Sequence, residues 1–125
     1  MLFVDNPIGV GYSASASESD LVSSMEELSQ DFNVFLQKFF ASEDGKKYVD
    51  HEFYISGGSY AGKYIPAIAA DYVKSGSLPK LEGVALGNGW VHPRLQYPAY
   101  ADFSLANGLI GIHQYTQIKQ RFNEC

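Results

Sequence analysis

Cysteine is almost missing from this chain, with one, Cys125, in 125 residues. No disulfide can close within the chain, and a cysteine at its end is compatible with a partner elsewhere. Basic residues are also scarce. Nine Lys and Arg face fourteen Asp and Glu, for a net charge of −5 and a pI near 5.0. That balance argues against nucleic acid or an anionic membrane as the main partner. No apolar run reaches the length of a membrane span. The opening, MLFVDNPIGVGY, has neither a basic n-region nor a long apolar h-region, so it does not read as a signal peptide. It reads as the inside of a buried strand, with Met1 an internal methionine. Histidine is limited to His51, His92 and His113, and none has metal-ligand spacing to another candidate ligand. No metal or cofactor is expected.

What is present is core material. Hydrophobic residues make up 46% of the chain and aromatics 14%, which is enough for one globular domain. Leu2–Asp5 reads as a short buried strand ended by Asn6 and Pro7. A Gly- and Ser-rich loop follows. A helix is expected from Leu21, with Leu21, Met25, Leu28, Phe32, Phe35 and Phe39 as its apolar stripe. Ser19 or Asp20 would cap it, and Ser23 with Glu26 has capping-box spacing. "EFYIS" reads as a strand and "YAGKYIPAIAADYVKSG" as a helix that Pro66 should kink or split and Gly76 should stop. "LEGVALGNG" is a further strand running into a glycine loop. "PAYADFSLANG" and "IHQYTQIKQRF" read as helices. The order β-α-β-α-β followed by helices predicts an α/β fold with a parallel sheet covered on both faces. Residues 1–95 form the β/α part and residues 96–125 a helical segment. The 17 Tyr and Phe residues fall at helical spacing or inside strands, as core positions do.

One motif carries chemistry. In "FYISGGSYAGKYIPAIA", Ser59 stands between an apolar strand and a helix, with Gly57 and Ala61 as small neighbours. A nucleophile elbow needs this arrangement. The sharp turn lifts a serine hydroxyl above the sheet edge, and the following helix aims its first N–H groups at the site. The backbone N–H of Tyr60 is then a natural oxyanion donor. The small-residue pattern alone arises by chance in roughly one such chain in five, and an ordinary strand-to-helix turn is the competing reading. "GVGYSA" imitates a dinucleotide fingerprint, but Pro7 separates it from the strand and no helix opens after it, so it reads as a structural loop. Ser59, Asp102 and His113 run in the chain order of an α/β-hydrolase triad, yet Asp102 and His113 sit in the helical tail instead of after strands.

These stretches together resemble the serine carboxypeptidases of the α/β-hydrolase fold. "FVDNPIGVGYSAS" is similar to that family's "FxDxPxGxGFSY". "FNVFLQKFF" is similar to its next helix, "FYISGGSYAGKYIPAIA" to its nucleophile segment and "LEGVALGNGWVHP" to the strand and loop beyond. The resemblance implies a partial α/β-hydrolase sheet, with the helical tail as the start of a cap insertion. It also implies Ser59 as nucleophile and Tyr60 as one oxyanion donor. The implied reaction releases single residues from peptide or protein C-termini through an acyl-enzyme, favoured at acidic pH, in a vacuole, lysosome or secreted setting.

Three departures qualify it. The family has Glu where Gly58 stands; that Glu, held protonated, helps bind the substrate's terminal carboxylate. Its loss should weaken carboxylate recognition by roughly 1–3 kcal/mol. His92 replaces the Asp of an Asn-Gly-x-x-Asp-Pro loop, which reads as structural. The family's catalytic Asp and His lie downstream of this region, and its other oxyanion donor and carboxylate-binding Asn lie upstream in an "NGGPG" segment. The chain is therefore expected to be an incomplete piece, inactive alone and aggregation-prone, with open sheet edges that a partner chain would cover. The alternatives are a non-catalytic descendant used for binding or structure, and an acyltransferase or esterase of the same fold.

Overall fold

The computed structural model describes residues 1–124. It divides into two compact units, Met1–Gly89 and Trp90–Cys125. In the first, helix α1 (Met25–Ala41) precedes strand β1 (Phe53–Gly58), helix α2 (Ala61–Ser75) and strand β2 (Leu81–Gly87). In the second, helix α3 (Pro93–Ala106) is followed by helix α4 (Ile112–Glu124).

β1, α2 and β2 make one β-α-β unit. The strands pair in parallel, with Ile55 opposite Val84 and Gly58 opposite Gly87. Parallel neighbours need a crossover, and α2 supplies it. Alternation along β1 turns Phe53, Ile55 and Gly57 inward and leaves Tyr54, Ser56 and Gly58 exposed. The Phe53 ring meets Phe40 of α1 at 5.3 Å and Tyr72 of α2 at 5.6 Å. Both helices therefore lie on the face that carries Phe53. Coverage of both faces was expected from the β/α alternation. Within this unit the Tyr54 face stays open, because α1 stacks beside α2 through the aromatic contacts around Phe53.

The core of this unit is Leu28, Leu36, Ile65, Ile68 and Tyr72. The Tyr72 hydroxyl donates to the Pro79 carbonyl at 2.8 Å, so its buried polar end is satisfied. Burial also pushes its phenol pKa up from 10.0. The α1 stripe is rotated from the expected one. Leu28, Ser29, Asn33 and Leu36 are its buried residues, while Leu21 precedes the helix and is exposed. Asn33, only 5% exposed, takes a core position because its amide donates to Asp71 of α2 at 2.7 Å. A pattern of apolar residues cannot register such a pair.

The helix also starts a turn later than expected. Ser24 is the N-cap and accepts from the Glu27 amide at 3.1 Å. Glu27 accepts in turn from the Ser23 amide at 2.8 Å and hydroxyl at 3.0 Å, and these bonds hold its carboxyl below the ordinary 4.5. Ser19 and Asp20 instead belong to a short 3-10 turn, Glu18–Asp20, capped by Ser17.

Pro66 does not split α2, which runs unbroken from Ala61 to Ser75 and stops at Gly76 with φ +65°. Leu2–Asp5, expected as a strand, is not one, so the sheet among the described residues has two strands in place of three. Its backbone is used otherwise. The Asp5 carbonyl accepts from the Ser13 hydroxyl at 2.6 Å, and its carboxylate accepts from the Tyr12 amide at 2.9 Å. Phe3 is 85% exposed. The segment forms one wall of a groove of about 700 Å³ that runs along the inner side of β1, with Leu36, Phe40, Ile65 and Ile68 in its other walls.

In the second unit α3 begins at Pro93, earlier than the expected start at Pro98. Proline is favoured in the first helical position, where its missing N–H costs nothing. The Gln96 side chain then caps the turn, accepting from the amides of Val91 at 2.9 Å and His92 at 2.8 Å. Asn107 and Gly108 end the helix, the latter at φ +67°. α4 is tied to α3 through Asp102, which receives the Tyr115 hydroxyl at 2.9 Å and the Lys119 ammonium at 3.0 Å.

Candidate active site

The site grows out of the C-terminal end of β1. In an open parallel sheet, loops at that edge face the space where ligands bind. β1 ends at Gly58 and α2 begins at Ala61, which leaves two residues to reverse the chain. Ser59 makes the reversal with φ +56°, and Tyr60 follows in right-handed helical geometry at φ −63°, ψ −16°. A left-handed L-residue carries a cost of roughly 1–2 kcal/mol, so something must hold Ser59 there. One restraint is the sheet. The Ser59 amide donates to the Gly87 carbonyl at 3.1 Å, which continues the β1–β2 ladder one residue past the strand. The other is the helix. The Gly62 amide donates to the Ser59 carbonyl at 3.0 Å, and the Lys63 amide to the Tyr60 carbonyl at 2.9 Å.

The small residues around the turn have separate tasks. A Cβ on Gly57 would lie 2.7 Å from the Ala61 Cβ and 3.0 Å from the Ile65 Cδ1, so only glycine lets α2 fold back this closely on β1. A Cβ on Gly58 would lie 3.3 Å from the Gly87 carbonyl oxygen, on the exposed face. That position is tight but open outward. Ser59 and Tyr60 are both exposed, and the Tyr60 ring packs on Tyr64 at 5.0 Å. The result is a serine held in a strained, exposed turn at the positive end of a 15-residue helix. The amides of Ser59, Gly62 and Lys63 are committed to backbone carbonyls and cannot serve a developing anion.

Along its whole length, residues 1–125, the chain matches the sequence pattern of the serine carboxypeptidase family. The chain belongs to that family. It is 40% identical over 131 residues to Serine carboxypeptidase-like 47 of Arabidopsis thaliana, an overlap that takes in 100% of this chain and 25% of that protein. It is also 40% identical over 110 residues to the pheromone-processing carboxypeptidase kex1 of Schizosaccharomyces pombe, covering 88% of this chain and 21% of the relative. The crystal structure of Kex1(delta)p, a prohormone-processing carboxypeptidase from Saccharomyces cerevisiae, superposes with a TM-score of 0.74 at 23% identity. That match covers 97% of this chain and 29% of the other, and it shows the fold. The chain spans about a quarter of the length of the curated relatives it matches.

Within this serine carboxypeptidase segment, the fold brings Gly58, Ser59 and Tyr60 together at one edge. Asp102 and His113 lie in the other unit. The Asp102 carboxylate is engaged by Lys119 and Tyr115, and these bonds lower its pKa from 3.8. His113 is the second residue of α4. The His51 ring sits edge-on to Tyr48 at 5.8 Å, and His92 is the N-cap of α3. Among the described residues, no group of three or more His, Cys, Asp or Glu is placed to hold a metal ion, and no helix is long and apolar enough to cross a membrane.

The "GVGYSA" loop is occupied from within. Gly9 and Gly11 take positive φ, and the Asp5 carboxylate already accepts the Tyr12 N–H that such a loop would offer a phosphate. One participant was not singled out from the sequence. Asn88, directly after β2, is left-handed at φ +48°; together with Ser59 it completes the non-glycine residues with positive φ among those described. The available signal was Gly87-Asn88-Gly89 closing an apolar strand, since asparagine is the non-glycine residue that tolerates this region best.

Proposed function

We propose that Ser59 is the nucleophile of a serine-type carboxypeptidase to which this chain contributes the central segment. The observation that carries the reading is the left-handed Ser59 between a parallel strand and the helix that follows it. In the proposed reaction the Ser59 Oγ attacks the carbonyl carbon of the last peptide bond. Its proton passes to a histidine supplied from outside these 125 residues, and the Tyr60 N–H is one of two donors to the tetrahedral oxyanion. Collapse expels the terminal amino acid as the leaving amine, protonated by the same histidine. Water then attacks the acyl-serine and releases the shortened peptide. Residues from about Pro98 onward would open the cap insertion, and the exposed face and edge of β1 would be covered by further sheet from the rest of the enzyme or a partner chain.

A serine without its base is a poor nucleophile near neutral pH. The 125-residue chain alone is therefore expected not to react with a fluorophosphonate probe, whereas a longer product of the same gene is expected to be labelled at Ser59 and to lose labelling on Ser59→Ala. Labelling of the short chain would mean that it contains its own base and would turn attention to Asp102 and His113. Labelling of neither would favour a non-catalytic descendant.

Gly58 favours a second reading, an acyltransferase or esterase that does not recognise a terminal carboxylate. A longer side chain at this outward-open position needs a shift of a few tenths of an ångström at the Gly87 carbonyl. If Gly58 limits exopeptidase action, Gly58→Glu in the longer product should raise C-terminal cleavage by about five- to 150-fold, matching 1–3 kcal/mol. No gain would show that the glycine is not the limit.

A further inference from the structure

The two left-handed residues, Ser59 and Asn88, sit side by side. The register pairs Gly58 with Gly87, so each left-handed residue follows its strand at the same end of the sheet. The Ser59 amide donates to the carbonyl of Gly87, the residue before Asn88, at 3.1 Å. That carbonyl belongs to the peptide linking Gly87 to Asn88. The direction of a peptide carbonyl is set by the ψ before it and the φ after it. With the chain held on both sides of this peptide, any change in the φ of Asn88 must be compensated by the ψ of Gly87, so the φ of Asn88 bears on where the acceptor of the Ser59 amide points. Turning Asn88 to the usual negative φ would rotate this peptide and carry the carbonyl off the Ser59 N–H, or else redirect the chain out of β2.

We propose that Asn88 is a positioning residue for Ser59: held left-handed, it aims the Gly87 carbonyl at the Ser59 amide and keeps the serine turn in its strained geometry. The inference rests on the reading of Ser59 as nucleophile, but the link between the two turns stands on geometry alone. It also accounts for the residue type. Asparagine enters the left-handed region more readily than other side-chain-bearing residues, and a β-branched residue hardly at all. Gly87 has no positive φ of its own, so the bend at this strand end falls to Asn88.

Residue-resolved amide hydrogen exchange on a longer product of the same gene tests the link directly, with the other β1 amides as internal reference. Asn88→Val is expected to lower protection of the Ser59 amide on the order of tenfold, and Asn88→Ala to lower it less. Asn88→Gly should keep it, because glycine adopts the same φ without strain. Unchanged protection in both Asn88→Val and Asn88→Ala would overturn the proposal. Loss in Asn88→Gly as large as in Asn88→Val would also overturn it, since the side chain and not the backbone would then be responsible. If Asn88→Val does not fold, the Ala and Gly variants decide the matter.

In a longer product labelled at Ser59, the fluorophosphonate rate should fall by a similar factor in Asn88→Val and recover in Asn88→Gly. A rate unmoved by Asn88→Val would refute the positioning role. If Ser59 takes no probe in any product, the nucleophile reading fails, and the exchange measurement still decides whether Asn88 holds the turn.

Discussion

Replacing Gly57 by alanine should cost more than the same change one residue later. The added Cβ would stand 2.7 Å from the Ala61 Cβ and 3.0 Å from the Ile65 Cδ1. Carbon atoms in contact normally sit about 3.5–4.0 Å apart, so the overlap with Ala61 is roughly an ångström. Ile65 can yield by turning its terminal methyl. Ala61 cannot, because its Cβ is fixed to the backbone of the first turn of α2. The helix must therefore lift from β1, disturbing the Gly62 to Ser59 and Lys63 to Tyr60 bonds that close the serine turn. Overpacking of this kind costs about 1–3 kcal/mol. At Gly58 the new Cβ meets one atom, the Gly87 oxygen at 3.3 Å, and otherwise faces outward. That change presses on the carbonyl that accepts the Ser59 amide, but through a single contact, and should cost about 1 kcal/mol or less. Urea unfolding of a longer product of the same gene, followed by circular dichroism, should show a lowered midpoint for Gly57→Ala, with a melting temperature down by about 5 °C. Gly58→Ala should lower both by less. Equal effects at the two positions, or none at Gly57, would refute the view that close helix-on-strand approach builds the serine turn.

Three further outcomes follow from the same geometry. Ser24→Ala removes the acceptor of the Glu27 amide and should lower stability by about 1 kcal/mol in urea unfolding, while the helix content at low urea stays unchanged. Tyr72→Phe leaves the Pro79 carbonyl without its 2.8 Å partner beside a residue only 1% exposed. It should cost about 1–3 kcal/mol by the same assay, and a neutral result would mean that another donor reaches that carbonyl. Asp102, whose pKa is lowered by Lys119 and then by Tyr115, favours the folded form above its ordinary value of 3.8. That contribution is lost as pH falls through the lower folded value. Acid titration followed by carboxyl NMR should therefore show Asp102 ionised further into acid in the native chain than in Lys119→Met, and identical curves would remove the ion pair from the account.

Much of the candidate site's geometry was legible because its requirements are local. A small residue must precede the serine, a strand must end there and a helix must begin, and each leaves a mark within "FYISGGSYAG". The end signals of α2 and α3 were equally local, since Gly76 and Gly108 each supply a positive φ that few other residues adopt. The start of α1 was read a turn early because several Ser and Asp residues in "SASESDLVSS" can cap a helix; only the bond from the Glu27 amide to Ser24 selects among them. α3 starts at Pro93, five residues before the helix the apolar spacing suggests, because the Gln96 side chain bonds back to Val91 and His92, a contact that spacing does not encode.

Composition, periodicity and the order of elements determined the α/β class, the β-α-β unit and the strand-to-helix turn that carries Ser59, because these depend on side-chain type and on spacing along the chain. Tertiary structure decided the rest. It placed Asn33 against Asp71 inside the helix pair, took Leu2–Asp5 out of the sheet and set both helices on the Phe53 face. It also set Asn88 beside Ser59, with the Gly87 carbonyl between them. Each of these joins residues distant in the chain, and their energies depend on distances and peptide orientations that exist only once β1 and β2 are paired.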